Sequence, residues 1–298
     1  MTAERSLLVL GSANMDLVVN VARHPEPGET VFGNSFTTVP GGKGLNQAVA
    51  AARMGARVSF VGAVGRDSYG DRLIELLGTA GIDTTAVLRS ELSTGTAHIT
   101  VDGRGRNSIV VVSGANAELT PAALAQLRPE LDGWLLTQLE VPLPTVVVAL
   151  AWCRRHRVRS MLTPAPVTAL SEEVLAQVDL LVPNEIEAAQ LAGAASPEEA
   201  ACWLSRRCGD VVVTLGADGS LWARAGRIVH HEPSRRVSPV DTTAAGDTFV
   251  GVLATRLAEG AELPEAMRWA SAAAAIGVTR AGASSSMPAR SEVVALLN

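Results

Sequence analysis

The sequence has little cysteine and no long apolar run. Its 298 residues include only three cysteines, Cys153, Cys202 and Cys208, and no Cys-x-x-Cys pair. This sparse, odd set excludes a disulfide-stapled scaffold and predicts a reducing, cytoplasmic compartment. The apolar run at residues 7–10 follows the amino-terminal residues 1–6. It is too short for a signal peptide or a membrane span, so we expect no membrane association.

An excess of positive charge is also missing. Lys and Arg number 25 against 30 Asp and Glu, a net charge of −5, which argues against a nucleic-acid-binding protein. A phosphate ligand is not excluded, because backbone N–H groups at a helix N-terminus bind anions without net positive charge. The sequence shows no internal repeat and no linker-like tract, and 47% of its residues are hydrophobic. These features exclude a disordered chain and predict a single α/β domain over residues 1–298.

Short apolar segments alternate with helical segments along most of the chain. Strands are predicted at residues 7–10, 58–61, 134–139, 158–162, 180–182 and 211–213, and helices at residues 45–54, 71–80, 144–156, 245–259 and 264–278. Two further helix starts are marked by capping patterns: Thr120 followed by Pro121, and Ser196 followed by Pro197 and a capping-box Glu199. Short buried strands separated by helices are typical of parallel βαβ units. The sequence therefore predicts a three-layer αβα core with a mostly parallel sheet.

Two segments break this alternation, at approximately residues 15–40 and 94–113. Polar and apolar residues alternate within them, and turn-forming residues stand at 25–28 and 102–105. Such alternation is typical of antiparallel hairpins with one solvated face. We therefore expect a small β-sheet lid that is inserted into the core rather than forming a separate domain.

A glycine-rich segment, Pro-Gly-Gly-Lys-Gly-Leu-Asn-Gln at residues 40–47, opens a predicted helix. Glycines let a ligand approach the backbone closely, and a helix N-terminus offers free N–H groups. The spacing Gly-x-x-x-x-Gly-Lys-Ser/Thr is absent, so the segment is not a P-loop. The alternative interpretation is a tight turn that leaves Lys43 in solvent.

A second small-residue segment, Asp-Thr-Thr-Ala-Ala-Gly-Asp-Thr-Phe at residues 241–249, opens another long helix. Small residues leave successive N–H groups unobstructed, so these can point at an anion. Asp247 would lie in the first helical turn, where its carboxylate can accept a hydroxyl proton while the N–H groups stabilise a transferring phosphoryl group. We expect this carboxylate to be ionised and to gain a hydrogen bond only when the hydroxyl arrives. The alternative is a helix-start residue that the helix dipole favours.

Three further sets of residues follow predicted strands. Asn184 and Glu187 are three residues apart at a strand end, and their oxygens suit Mg²⁺ bound through water; the alternative is an N-cap with a solvated glutamate. Residues 214–219, Thr-Leu-Gly-Ala-Asp-Gly, could hold a nucleotide phosphate or form a plain hairpin turn. Asn14 and Asp16 could hold a polyol or act as turn residues.

In their order along the chain, these segments resemble the ribokinase-type carbohydrate kinase family. The resemblance covers nearly the whole sequence, and residues 41–46 and 241–247 are its most specific parts. Further matching segments lie at residues 11–16, 27–30, 93–95, 114–117, 138–140, 164–166, 183–185, 214–216 and 278–280. Each segment alone is weak, whereas the ordered set is specific. The resemblance implies the same three-layer core and β lid that the patterns predict.

The resemblance also implies roles for individual positions. It implies Asp247 as the catalytic base and an anion hole formed by Ala244, Ala245 and Gly246. The implied sugar-binding residues are Asn14, Asp16, Gly42, Lys43, Asn46 and Glu140. The implied ATP-binding residues are Asn184, Thr214, Leu215, Gly216, Ala217, Asp218, Gly219, Gly246 and Ser271. Glu187 is implied for Mg²⁺ through water, and an activating K⁺ would be held, mostly by backbone carbonyls, at Asp241, Thr243, Gly277, Arg280, Gly282 and Ser286.

The family's reaction implies an ATP-dependent kinase that transfers the γ-phosphoryl group to the 5-hydroxyl of D-ribose, with Mg²⁺ and K⁺ as cofactors. A homodimer that pairs through the lid is implied as well. A related substrate stays open: a ribonucleoside, pseudouridine, deoxyribose or a hexose. A non-catalytic sugar or nucleotide sensor is a further alternative, against which the intact segment around Asp247 argues. A nicotinamide-dependent dehydrogenase is excluded, because no Gly-x-Gly-x-x-Gly follows the first strand.

Four positions depart from the family's pattern. His98 stands in a predicted lid strand where the family has an aliphatic residue. Facing the sugar, it would alter specificity; facing outward, it is an ordinary surface histidine. Thr163 replaces an Asn, and Val250 and Val252 replace an Asn and an Ala after the segment at 241–249. We interpret them as packing changes, or as changes on the nucleotide side of the site.

Overall fold

The fold is built on one large sheet and one small sheet. The structure is a computed structural model that describes residues 6–127 and 133–298. Residues 1–5, on which part of the expectation about a leader segment rests, lie outside the described residues. In chain order, the strands are β1 (Leu7–Leu10), β2 (Asn14–Val21), β3 (Gly33–Gly41), β4 (Val58–Gly65), β5 (Val87–Ser90), β6 (Gly95–Val101), β7 (Asn107–Val112), β8 (Trp134–Thr137), β9 (Arg159–Leu162), β10 (Leu180–Leu181), β11 (Asp210–Thr214), β12 (Ser220–Arg224) and β13 (Arg227–Glu232).

Helices cover the large sheet. In chain order they are α1 (Lys43–Arg53), α2 (Ser68–Thr79), α3 (Pro121–Leu127), α4 (Leu143–His156), α5 (Glu172–Leu175), α6 (Glu185–Ala192), α7 (Pro197–Leu204), α8 (Ala245–Ala258), α9 (Leu263–Gly277) and α10 (Arg290–Leu297). Within residues 6–127 and 133–298, the large sheet has nine strands in the order β13-β12-β11-β10-β9-β8-β1-β4-β5. The pairs from β5 to β11 are parallel, and β12 and β13 add an antiparallel edge. The predicted mostly parallel sheet is therefore confirmed.

Strand β1 shows why this sheet has helices on both faces. Its four residues are all buried, although successive side chains of a strand point to opposite faces. Leu7 and Val9 join a core cluster with residues of α1, α2, α8 and α9. Leu8 and Leu10 join a second cluster with residues of α4, α6 and α7. An unbroken apolar run is what a strand buried on both faces requires, and it yields the predicted three layers.

The two predicted capping patterns are formed to different degrees. Thr120 Oγ1 accepts a hydrogen bond of 3.2 Å from the amide of Ala123 at the start of α3. Ser196 Oγ accepts one of 3.2 Å from the amide of Glu199 at the start of α7. The Glu199 carboxylate, however, accepts from the amide of Ala195 at 3.4 Å rather than from that of Ser196. The capping box predicted there is therefore only half formed.

The small sheet, called the lid sheet here, consists of β3-β2-β6-β7. Its pairs β2–β3 and β6–β7 are antiparallel, which confirms the two predicted hairpins. The hairpins are joined by a parallel pairing of β2 with β6, in which Asp16 stands opposite Ala97. Its β2–β3 hairpin leaves the core after β1 and returns to it at α1, so β3 ends beside the N-terminus of that helix. In the part of the chain that the structure describes, no helix is both long and apolar enough to cross a membrane.

Candidate active site

The candidate site lies where the carboxyl ends of β1 and β8 meet the N-terminus of α1, the position at which parallel α/β sheets bind ligands. Glu140, which follows β8, links all three elements. Its Oε2 accepts a hydrogen bond of 2.5 Å from Ser12 Oγ, just after β1. The same oxygen accepts one of 3.0 Å from the backbone amide of Lys43, the first residue of α1. The sugar-binding positions implied by the sequence are thus brought together.

Glycines allow this close approach. Gly42, the N-cap of α1, has a φ of 89°, in the left-handed region that favours glycine. A β-carbon on Gly44 would stand 2.6 Å from the carbonyl carbon of Gly11 and from the amide of Ser12. Any side chain at Gly44 would therefore push α1 away from the loop after β1. The glycine-rich segment is a helix start rather than a simple turn with a solvated lysine, because α1 begins at Lys43 and this residue lines a cavity.

Five charged groups share this region. Burial, the largest cause, and the nearby charges of Glu140 and Asp247 together raise the pKa of Asp16 from 3.8 to about 7. Burial alone would lower the pKa of Lys43, but the carboxylates of Asp247, Glu140 and Glu187 outweigh it and raise that pKa. Lys43 therefore remains a cation among carboxylates. Asp and Lys, the residue types at positions 16 and 43, rarely lie in a protein core unless they are paired.

Asp247 lies in the first turn of α8 and is 9% exposed. Its Oδ2 accepts a hydrogen bond of 3.1 Å from Asn46 Nδ2, and its Oδ1 accepts one of 3.0 Å from Gln47 Nε2. The expectation that this carboxylate gains a hydrogen bond only on arrival of a hydroxyl is therefore wrong. Burial raises the pKa of Asp247 to about 6, against the opposing effects of Lys43 and the two amide donors.

The turn before Asp247 presents free backbone donors. Ala244, the N-cap of α8, has a φ of 57° and makes no side-chain capping bond. The Ala245 amide donates to Thr242 O at 3.2 Å, so that donor of the implied anion hole is already engaged. Among the described residues, the amides of Ala244, Gly246 and Asp247 have no hydrogen-bond acceptor. Orphan N–H groups at a helix N-terminus are a binding site for an anion.

Two adjoining cavities meet at this turn. The smaller, about 220 Å³, is lined by Lys43, Asn184, Glu187, Ala244 and Asp247 among others. The larger, about 510 Å³, lies on the far side of α8. Both are lined by Thr214, Thr242, Ala245 and Gly246. The start of α8 therefore faces a compartment on each side.

Most of the implied ATP-binding residues line the larger cavity. It is lined by Thr214, Gly216, Ala217, Gly219, Gly246 and Ser271. Leu215 and Asp218, in the turn between β11 and β12, do not line it. That turn contains a short 3-10 helix, Gly216–Asp218, so the segment is both a hairpin turn and a cavity wall. Arg235, Arg236 and Phe249 also line the cavity and were not expected there.

Asn184 and Glu187 form a reciprocal capping box at the start of α6. Asn184 Oδ1 accepts from the amide of Glu187 at 2.8 Å, and Glu187 Oε2 accepts from the amide of Asn184 at 2.9 Å. Burial raises the pKa of Glu187, while the Asn184 amide and Lys43 oppose that rise. The predicted N-cap is thus formed, but Glu187 is not a solvated glutamate, because it is half-buried and lines the smaller cavity together with Asn184. A capping role does not exclude ligand binding, because Glu187 Oε1 takes no part in the capping box.

The residues implied for K⁺ lie on two loops that converge at Asp241. Its Oδ1 accepts from the amide of Thr243 and its Oδ2 from the amide of Gly282, each at 2.9 Å. The Gly277 carbonyl accepts from the amide of Arg280 at 3.0 Å, and Ser286 Oγ donates to Ala283 O at 2.8 Å. The Arg280 side chain pairs with Glu292, away from Asp241. Across residues 6–127 and 133–298, no group of three or more His, Cys, Asp or Glu side chains is placed to hold a metal ion.

The positions that depart from the family's pattern fall in two places. His98 is exposed on β6, and its Nε2 lies 3.1 Å from Thr96 Oγ1. Because Ala97 stands opposite Asp16, the neighbouring His98 lies on the other face of the lid sheet. Thr163 and Val250 line the smaller cavity, whereas Val252 is buried in the core.

Sequence reasoning did not assign roles to Gln47, Gln138 and Asn116. Gln47 contacts Asp247, and Gln138 contacts Gln47. The Asn116 side chain donates to Asn14 Oδ1 at 2.8 Å and accepts from the amide of Ala13 at 3.1 Å, which fixes the root of the lid sheet. The signal that could have found Gln47 is a polar residue on the otherwise apolar, Ala-rich side of α1.

A buried carboxylate beside free helix N-terminal amides, between two cavities of an α/β fold, defines a phosphotransferase site. Residues 4–290 match the family model described as "pfkB family carbohydrate kinase". The chain is 43% identical to a ribokinase of Bacillus subtilis over 297 residues, covering 99% of this chain and 100% of the relative. The chain therefore belongs to the pfkB family of carbohydrate kinases.

Solved structures agree with this assignment. A ribokinase of Thermotoga maritima is similar with a TM-score of 0.91 and 39% identity, covering 98% of this chain and 99% of its own. A ribokinase of Arabidopsis thaliana, solved with ribose and ATP, is similar with a TM-score of 0.89 and 31% identity, covering 99% of each chain. The three-layer core with a small lid sheet is the fold of this family.

Proposed function

We propose that this protein transfers the γ-phosphoryl group of ATP to the 5-hydroxyl of D-ribose. The relatives support the substrate pair, since they are named ribokinases and one was solved with ribose and ATP. The observation that carries the proposal is the place of Asp247. It lines the smaller cavity, while Gly246 beside it also lines the larger one. A base at that junction can serve a hydroxyl on one side and a triphosphate on the other.

In the proposed reaction, Asp247 accepts the proton of the 5-hydroxyl as its oxygen attacks the γ-phosphorus. The bond between the γ-phosphorus and the β,γ-bridging oxygen breaks, and ADP leaves. The amides of Gly246 and Asp247, which have no acceptor among the described residues, stabilise the charge on the transferring group. Lys43 adds a positive charge on the same cavity wall. Positioning and charge stabilisation are the main needs of phosphoryl transfer.

The sugar is proposed to bind among Asn14, Asp16, Gly42, Lys43, Asn46 and Glu140. Asn46 supports this most directly, because its buried Oδ1 has no hydrogen-bond donor in the part of the chain that the structure describes. A buried acceptor left unpaired is costly, and a sugar hydroxyl would satisfy it. Its Nδ2 meanwhile holds Asp247, so one side chain would touch both substrate and base.

Nucleotide binding is proposed at Asn184 in the smaller cavity, at Leu215 and Asp218 in the turn after β11, and at six residues that line the larger cavity: Thr214, Gly216, Ala217, Gly219, Gly246 and Ser271. Mg²⁺ is proposed to bind mainly to the phosphates and to water, with Glu187 as an outer ligand through water. The donor set fits, because Mg²⁺ keeps several waters and needs few carboxylates when phosphates are present. When bound, the ion neutralises charge on the phosphates.

K⁺ is proposed to bind at the two loops that Asp241 joins, with Thr243, Gly277, Arg280, Gly282 and Ser286 contributing mostly backbone carbonyls. The loops converge as such a site requires, since Asp241 bonds the amides of both Thr243 and Gly282. Two of the residues that would hold this cation, Asp241 and Thr243, directly precede the proposed anion-binding turn at 244–246. We expect it to orient that turn.

A homodimer through the lid sheet is also proposed. Strand β7 is an edge of that sheet, and all six of its residues are exposed. Ile109 is 50% and Val110 63% exposed, and Phe32 and Phe36 add 94% and 60% on the β3 side. Exposed large apolar residues on an unpaired edge strand are typical of an interface. The protein is further proposed to be one cytoplasmic domain over residues 1–298, which its three free cysteines fit.

The proposal is tested by measuring ADP release with Mg²⁺ and ATP, in K⁺ or in Na⁺. The acceptors compared are D-ribose, 2-deoxyribose, fructose and nucleosides. Ribose-dependent turnover that rises with K⁺ and is lost in Asp247→Ala is expected. Turnover only with another acceptor would keep the chemistry and overturn the sugar. No turnover with any acceptor, together with binding of ATP and sugar by titration, would indicate a sensor.

A further inference from the structure

Two glutamines form a buried chain that ends on Asp247. Gln138 Nε2 donates to Gln47 Oε1 at 2.6 Å, and Gln47 Nε2 donates to Asp247 Oδ1 at 3.0 Å. Both glutamine residues are 0% exposed. They come from different elements, since Gln47 lies on α1 and Gln138 follows β8. Uncharged amides fully removed from water are unusual in a core unless they have a definite partner.

The direction of this chain follows from the carboxylate. An ionised Asp247 can only accept hydrogen bonds, so Gln47 must turn its amide nitrogen toward it. The Gln47 carbonyl then points the other way and requires a donor, which Gln138 supplies. At the far end, Gln138 Oε1 is buried without a donor among the described residues. Asp247 and Gln47 therefore both receive a hydrogen bond, and the acceptor left without a donor among the described residues is on Gln138, the residue farthest from the base.

Two glycines leave room for the hydrogen-bonded glutamines. A β-carbon on Gly251, four residues after Asp247, would stand 2.5 Å from the backbone carbonyl oxygen of Gln47. Glycine there lets α8 and α1 approach closely enough for Gln47 to reach Asp247. On the other side, a β-carbon on Gly11 would stand 3.0 Å from the side-chain carbonyl carbon of Gln138. Glycine at position 11 therefore leaves the space that the Gln138 side chain occupies, and glycine at position 251 allows α8 to lie close to the backbone of α1.

We propose that Gln47 and Gln138 are positioning residues, a relay from Gln138 through Gln47 that fixes the orientation of the Asp247 carboxylate for proton transfer. The inference rests on the proposed function, because it assigns a task to residues around the proposed base. Neither glutamine needs to touch the sugar or the nucleotide. Gln47 acts on Asp247 directly, and Gln138 acts only by orienting Gln47.

The relay also favours the ionised state that a base requires. A hydrogen bond donated to a carboxylate stabilises its charged form. The other charged groups around Asp247 are Lys43 on α1, Glu140 after β8 and Asp16 on β2. Lys43 lowers the pKa of Asp247 and Glu140 raises it, so the Gln47 donor adds to the effect of Lys43. Removal of that donor should therefore move the acidic limb of activity to higher pH.

The test measures kcat and both KM values from pH 5 to 9 for Gln47→Met, Gln138→Met and the double variant. Gln47→Met is expected to lower kcat roughly tenfold or more, with both KM values within about twofold, and to raise the acidic limb by about half a pH unit or more. Gln138→Met should have a smaller effect of the same kind. The double variant should match Gln47→Met, because Gln138 acts only through Gln47.

Thr255→Val is the matched control. Thr255 is buried in the same interface of α8 with α1, and its hydroxyl donates to Gly251 O at 2.9 Å without contacting Asp247. Its kcat and pH profile should equal those of the wild type. An unchanged limb in folded Gln47→Met, or additive effects in the double variant, would overturn the relay. Should Gln47→Met fail to fold, an unchanged limb in Gln138→Met would overturn it equally.

A titration separates this inference from the proposed function. The Asp247 carboxyl signal is followed by ¹³C NMR in protein labelled at aspartate, without substrate, and is assigned with Asp247→Asn. A higher titration midpoint in Gln47→Met than in the wild type supports the relay even where D-ribose is not phosphorylated. Equal midpoints overturn it even where D-ribose is phosphorylated.

Discussion

The carboxylate of Asp16 occupies the space beside Gly41 in which any other residue would place its β-carbon. A β-carbon on Gly41 would stand 2.5 Å from the carboxyl carbon of Asp16. The two residues lie on the paired strands β2 and β3, where the lid sheet meets α1. The position of Asp16 over the site is therefore set by the absence of a side chain on the neighbouring strand.

Gly41→Ala should impair sugar binding selectively. The added methyl group displaces the Asp16 carboxylate, so we expect the KM for the sugar to rise about tenfold, the equivalent of about 1.4 kcal/mol. The KM for ATP should stay within about twofold, because the larger cavity is not lined by Gly41. Steady-state kinetics measure both values. Gly78→Ala is the control, since a β-carbon there meets open space and alanine favours helix α2.

The pH profile of kcat/KM for the sugar should report Asp247, because this ratio follows groups of the enzyme before the sugar binds. The pKa of Asp247 is raised to about 6, and only the ionised form accepts a proton. We therefore expect kcat/KM to fall as pH drops through about 6. A stopped assay at sugar concentrations below KM measures this. A profile that remains flat down to pH 4.5 would contradict Asp247 as the base.

Local patterns in the sequence predict the elements well but not the contacts between them. The strands β1 and β11 are continuous apolar runs, so their burial on both faces can be inferred directly. Strand β5 was missed because it offers only two apolar residues before Arg89 and Ser90. Strand β4 extends four residues beyond the prediction, since Gly-Ala-Val-Gly has no strand signal of its own.

The candidate site likewise combines local elements that the sequence predicts with long-range contacts that it does not. Helix N-termini at residues 42–44 and 244–247 follow from glycine and small-residue spacing alone. The bond from Gln47 to Asp247 joins residues 200 positions apart, and no local pattern encodes such a pair. The expectation that Asp247 gains a hydrogen bond only when the hydroxyl arrives was wrong for this reason. Its burial and its two amide donors arise from the packing of α1 against α8.

Asp16→Asn should stabilise the fold at alkaline pH. The folded-state pKa of about 7 lies above the ordinary 3.8, so the protonated form is favoured in the fold. The stability that this group contributes is fully present below about pH 4 and is lost as pH rises through about 7. We expect the Tm of Asp16→Asn to exceed that of the wild type by about 2 °C or more at pH 8 and to equal it near pH 4.

Thermal unfolding at the two pH values measures this difference. Glu91→Gln serves as the control, because the Glu91 side chain is 88% exposed and its ion pair with Arg66 lies at the surface. Its Tm should follow that of the wild type at both pH values. An Asp16→Asn variant that is less stable at pH 8 would show that the buried charge is fully compensated by its surroundings.

The double variant Ile109→Glu/Val110→Glu should be monomeric. The two positions lie on opposite faces of β7, so the change places a charge on both sides of this edge strand. An apolar interface does not accept unpaired carboxylates, and dissociation is the expected result. Light scattering after size-exclusion chromatography measures the mass. Val229→Glu, at a 53% exposed position on β13, makes the same change outside the lid sheet and should leave a dimer intact. A wild-type protein that is monomeric at all concentrations would contradict the proposed dimer.

Glu187→Gln should raise the requirement for Mg²⁺ without unfolding the site. The glutamine oxygen can still accept from the Asn184 amide, so the capping box of α6 is kept while the charge is removed. An outer carboxylate acting through water typically contributes about ten- to hundredfold to metal affinity. We therefore expect the Mg²⁺ concentration for half-maximal activity to rise about tenfold, at a fixed and saturating concentration of ATP. Glu185→Gln is the matched control, because Glu185 is exposed in the first turn of the same helix and lines neither cavity. If the Mg²⁺ requirement of Glu187→Gln equals that of the control, Glu187 serves α6 only as a cap, and the ion is held without it.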